Sequence, residues 1–128
     1  MPTQARTPAP TVLDEQLATT LDTLRGIHPG LDLVAEGLEH LARTQHTPTS
    51  TADTVATLAG AEGADVVTAI GYLIATLTAP DTNPALHTLP AHAQKTAQRT
   101  GEMAAFDLTD PLLRTHATEA AALIDQQH

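Results

Sequence analysis

Apolar residues recur every three or four positions along most of the chain, the spacing of helices with one buried face. Leu13, Leu17, Leu21 and Leu24 share a face with Ile27 at its edge, while Asp14, Glu15, Asp22 and Arg25 lie away from its centre. Thr11 and Asp14 offer a capping box, so the first helix is predicted from there to about Gly26, where His28-Pro29-Gly30 makes a turn. A second helix is predicted over 31–44. Leu31, Val34, Leu38 and Leu41 form its stripe, and its wet face carries Glu39 and Arg43 as a favourable i,i+4 pair. The short connection predicts that these two helices form an antiparallel hairpin.

Beyond the loop 44–51, Ser50 and Asp53 suggest a capping box for a short third helix over 51–60, and a fourth is predicted over 63–78. Residues 79–90 read as a Pro-punctuated loop with room for one helical turn. A fifth helix over 90–104 is polar at Gln94, Lys95, Gln98, Arg99 and Glu102, and small at Ala93, Thr96, Ala97, Thr100 and Ala104. Asp110-Pro111 is a favourable N-cap and N1 pair for the last helix. That helix's buried face is predicted to hold Leu112, Leu113, Ala117, Ala120, Leu123 and Ile124. No stretch reads as a strand. The expected fold class is all-α, a compact bundle of five to six short helices, with 11–128 as a single domain behind a disordered Pro/Thr-rich tail at 1–10.

Composition supports this class. Tyr72 and Phe106 are the only aromatic residues among 128, so the core must come from Leu, Val, Ile and Ala. Strands depend on β-branched and aromatic residues, and the abundant Thr falls at caps and turns. The formal net charge is −9, with Lys95 the only lysine. Such a charge repels phosphate backbones and anionic membranes. The most apolar run, 64–79, is shorter than the ~20 residues that span a bilayer, and Asp65 interrupts it. The expectation is a cytoplasmic protein with no membrane contact. Cysteine is absent, which excludes disulfides and thiolate metal sites.

One stretch, Asp53 to Leu73, carries a more specific pattern. Val55, Ala56, Ala59, Gly60, Ala61, Val66 and Ala69 are spaced as in the helix-turn-helix motif of many small bacterial repressors, which this stretch resembles. Small residues let two helices cross closely, and the pattern assigns the turn glycine to Gly60. The resemblance implies a DNA-binding regulator using residues 51–73, with nucleic-acid contacts from Gly63, Ala64, Val67 and Thr68. The chemistry departs from it. A reading helix presents Arg, Lys, Asn, Gln or Ser near its start, whereas this one presents small and apolar residues flanked by Glu62 and Asp65, carboxylates that suit a helix N-terminus.

The fourth helix is apolar on two faces. Val66, Val67, Ile70, Leu73, Ile74 and Leu77 form a bulky stripe, and Ala64, Thr68, Gly71, Ala75 and Thr78 a small one. The fifth helix has a matching small face, so the two are predicted to pack together. Otherwise the small stripe is open to a second chain. The candidate interaction face is therefore Ala64, Thr68, Gly71, Tyr72 and Ala75, joined by His116, which falls within the apolar stripe of the last helix and suggests a pH-sensitive interface.

Seven histidines invite metal readings. Glu36 and His40 make half a site on a helix surface, where exposed Glu–His pairs are common. His87 and His92 share a loop region with Asp81, and polar loop residues explain them as well as zinc does. Ser50, the only serine, lies in no strand-turn-helix setting, and 60–63 lacks the Lys and preceding strand of a phosphate loop. No enzyme activity, cofactor or metal is expected. The expected role is that of a small accessory, regulatory or assembly module acting through a protein partner or as a homodimer.

Overall fold

The protein is described by a computed structural model over residues 13–61 and 63–126. It is all-α: α1 (Glu15–Leu24), α2 (Pro29–Arg43), α3 (Pro48–Ala59), α4 (Val66–Thr78), α5 (Ala91–Leu108) and α6 (Pro111–Gln126), with one 3-10 turn at Pro84–Thr88. No strand occurs among the described residues. The tail at 1–10 and the cap assigned to Thr11 lie outside them.

Helix starts follow the capping chemistry of the sequence, in places one turn from the positions first expected. Asp14 caps α1 by accepting the Leu17 N–H at 3.0 Å. α2 starts at Pro29, and the His28 ring accepts the Gly30 N–H at 2.8 Å. α3 begins three residues before the predicted start: Thr47 is its N-cap, accepting from Ser50, and Pro48 takes the first helical position. Proline suits that position because its missing N–H would have no helical partner. Asp110 accepts the Leu112 N–H at 2.9 Å beside Pro111, as its spacing predicts.

Contacts divide the described chain into two units at the 44–51 loop, one ending at His46 and the other beginning at Thr47. In the first, α1 packs on α2 with Leu21 and Ala35 buried. The expected Glu39–Arg43 pair is present at 2.8 Å, and Arg25 of the α1 end joins the same carboxylate at 2.6 Å. Glu39 is held below its usual range, by Arg43 first and then by Arg25.

In the second unit α4 packs chiefly on α5 and α3 on α6, with a smaller α3–α4 contact at the corner. The predicted α4–α5 pairing is present, and Gly71 and Gly101 set its closeness. A Cβ on Gly71 would lie 3.3 Å from the Ala105 carbonyl oxygen and from Leu108 Cβ, and one on Gly101 would collide with the Thr78 side chain. The α5 face is rotated from the expected one. Gly101 and Ala105 are buried and Ala97, Ala104 and Leu108 half-buried, while Thr96 and Thr100 are exposed. The α6 face is also corrected. Arg114 and Ala121 are buried there and Ala117, Ala120 and Ile124 are half-buried, whereas Leu112 is 79% exposed and Leu113 and Leu123 are exposed too.

Candidate functional site

The α3–α4 corner is built around a buried ion pair absent from the sequence expectations. Asp65 is the N-cap of α4 and accepts the Thr68 N–H at 2.8 Å and its hydroxyl at 2.6 Å. The Arg114 guanidinium reaches from α6 and donates to both Asp65 oxygens, from Nε at 2.7 Å and from Nη2 at 2.8 Å. Nη2 also donates to the Thr68 hydroxyl at 2.8 Å, and Nη1 to the Asp110 carbonyl at 3.1 Å. The Ala61 N–H completes the Asp65 shell at 3.1 Å.

Asp65, Thr68 and Arg114 are all buried. A charge in such a place is tolerated when paired and fully hydrogen-bonded. Asp65 is held well below the usual carboxylate range, first by the Arg114 hydrogen bonds, which outweigh the opposing effect of burial, with further help from Thr68 and the Ala61 N–H. The cluster is a structural clamp joining the start of α4 to α6. Its side chains bond one another and the nearby backbone at Ala61, Gly63 and Asp110.

The clamp decides what the helix-turn-helix positions can do. Gly63 and Ala64 are exposed, Val67 is half-buried, and Thr68 is 2% exposed with its hydroxyl shared between Asp65 and Arg114. Thr68 is therefore unable to reach a base edge in this arrangement. The turn glycine is also reassigned. Gly63 takes the left-handed conformation at φ 82°, whereas Gly60 ends α3 at φ −126° with Ala56 and the Thr118 backbone close by. Glu62 lies outside the described residues.

The interaction face expected on the small stripe of α4 is taken up within the chain. Thr68 and Gly71 are buried, Ala75 is half-buried, and only Ala64 and Tyr72 remain exposed. The bulky stripe is the open one: Val66, Ile70, Leu73 and Leu77 are exposed, Leu73 at 54%, while Val67 and Ile74 are half-buried. The inversion has a geometric cause. Packing α4 closely on α5 needs small residues at the contact, and the same rotation turns the large ones outward.

His116, expected in an apolar stripe, has a side chain 98% exposed and lies 3.4 Å from Glu119. It joins no buried face, because α6 is rotated to carry Arg114 inward. His40 and Glu36 line a depression of about 280 Å³ together with Arg25, Glu39 and Arg43, where two guanidiniums oppose cation binding. His87 hydrogen-bonds the Pro80 carbonyl at 3.0 Å. Among the described residues no three His, Asp or Glu side chains gather as a metal site. No described helix is long and apolar enough to cross a membrane.

No protein-family model matches the chain, and no curated protein and no solved structure matches it.

Proposed function

We propose that the protein is a small non-catalytic module that works through protein–protein contact, and that the outward stripe of α4 is its contact surface. The single observation that carries this reading is the exposure of Val66, Ile70, Leu73 and Leu77 in one row. Their spacing of four, three and four residues is the seam of a helix that packs against another helix. Scattered surface leucines are ordinary, but a continuous apolar row marks a binding face. The 66–78 segment contains no Asp, Glu, Lys, Arg or His, so contact there desolvates no side-chain charge.

A DNA-binding regulator is the second reading. It draws support from the succession of α3, a glycine turn and α4. The enclosed Thr68 and the net charge of −9 weigh against it.

Purification from the native host with and without nuclease separates the two, using the wild type and Leu73→Glu. Under the contact reading the bound protein survives nuclease and is lost from Leu73→Glu, whose helicity by circular dichroism is unchanged. A duplex-binding regulator instead retards a DNA fragment, with an affinity that falls steeply as salt rises.

A further inference from the structure

We infer that the occupant of the α4 seam is a second copy of this chain, with the two α4 helices crossing antiparallel about a two-fold axis. The inference rests on the contact reading above and gives it a partner.

Three observations lead there. The first is symmetry. Val66 and Leu77 are equally far from the centre of the row, and so are Ile70 and Leu73. An antiparallel pair therefore sets Val66 against Leu77 of the partner subunit and Ile70 against Leu73 of the partner subunit, so each row fills the other without a shift of register. A two-fold interface requires one patch that complements itself. This order also places the smallest seam residue against a larger one in each end layer, and it opposes the two helix dipoles.

The second observation is charge. Two copies, each with a formal net charge of −9, repel over most of their surfaces. The 66–78 segment carries none of that charge, and Asp65, the residue just before it, is buried against Arg114. Here two copies can approach without setting carboxylate against carboxylate. A basic partner drawn to an acidic protein finds no carboxylate within 66–78 to pair with.

The third is area. The four side chains are between 39% and 54% exposed. Together they offer on the order of 300–400 Å², under half of the ~800 Å² per partner of a standard interface. An interface of this size belongs with weak, transient pairs, so the dimer is a reversible one. An exposed edge of this size is tolerable in a free monomer.

Sedimentation equilibrium of the full chain from low to high micromolar concentration tests the association. The expected result is a monomer–dimer equilibrium, weakened about a hundredfold or more by Leu73→Glu, which buries a charge beside Ile70 of the partner subunit. Leu112→Glu, on the exposed side of α6, leaves it unchanged. Orientation is read separately, and the cysteine-free chain makes the readout clean. In an antiparallel pair a mixture of Val66→Cys and Leu77→Cys chains forms the mixed disulfide, while Val66→Cys alone does not couple. Its two positions then lie about 16 Å apart along the axis, beyond the ~7 Å Cα separation that a disulfide spans.

Self-coupling of Val66→Cys would overturn the antiparallel arrangement. A wild-type monomer at every concentration would overturn the dimer. If Leu73→Glu then still abolished nuclease-resistant binding to a host protein, the contact reading would stand with a different partner; if it changed nothing, both would fall.

Discussion

Asp65 shows how one residue changes meaning with its neighbours. In the sequence it is a carboxylate near a helix start, worth about 0.3–1 kcal/mol through the helix dipole. In the folded chain it is the cap of α4 and the ion-pair partner, at 2.7 Å, of the buried Arg114 guanidinium. Arg114→Met leaves that carboxylate buried and unpaired, and it should lower unfolding free energy by about 3–5 kcal/mol in urea titrations. Asp65→Ser with Arg114→Met keeps an N-cap and removes both charges, so the double variant should regain most of the loss. The pH dependence has a definite sign. The folded-state pKa of Asp65 is lowered, so the pair's contribution is complete above ~pH 5 and disappears as pH falls through the unfolded value of ~3.9 towards the folded one. Stability measured between ~pH 5 and 2 should therefore fall less steeply in Asp65→Asn than in the wild type. Equal slopes would show that other carboxylates dominate acid unfolding.

At the scale of the element, glycine position separates tolerance from damage. Gly37 lies on an exposed part of α2 with open space where a Cβ would go. Gly37→Ala should stabilise the chain by about 0.5–1 kcal/mol, since alanine loses less backbone entropy in a helix. The same change at Gly101 drives a methyl into Thr78, whose hydroxyl is already bonded to the Ile74 carbonyl at 2.8 Å. It should cost about 1–3 kcal/mol, visible as a lower thermal midpoint. If Gly101→Ala proved as benign as Gly37→Ala, the close α4–α5 approach would be wrong. The existence of these helices was legible because 3.6-residue periodicity and a cap such as Asp110 are local features. Their rotation was not. A rule that buries the largest apolar residues selects Leu112 and Leu123 of α6, yet the packed face carries Arg114 and Ala121. Arg114 looks like a surface cation until Asp65, 49 positions earlier, is known to be its partner.

At the scale of the whole molecule, the net charge of −9 opposes association while the α4 seam favours it. Salt screens the first over a Debye length of about 8–10 Å at moderate ionic strength and barely affects the second. Self-association should strengthen as sodium chloride is raised from about 20 to 300 mM. This is opposite in sign to the salt response of a duplex-binding protein. Light scattering across that range distinguishes the two, and a dimer that weakens with salt would remove the seam as its basis. The candidate surface itself was only half legible. The sequence already showed α4 as the helix with two apolar faces and matched its small face to α5, but it also offered that small face to a second chain and did not mark the bulky face as the open one.

By itself, then, the sequence determined the all-α class, the Asp110 cap of α6, the Glu39–Arg43 pair and the α4–α5 pairing. Each follows from residues close in the chain or from a match of small faces. Tertiary structure alone decided that Arg114 turns inward to Asp65, that Thr68 is enclosed by them, and that Val66, Ile70, Leu73 and Leu77 face outward. Those outcomes depend on how far two helices can approach and rotate. That distance is set at Gly71 and Gly101 by side chains on another helix, and no local pattern in α4 or α6 encodes it.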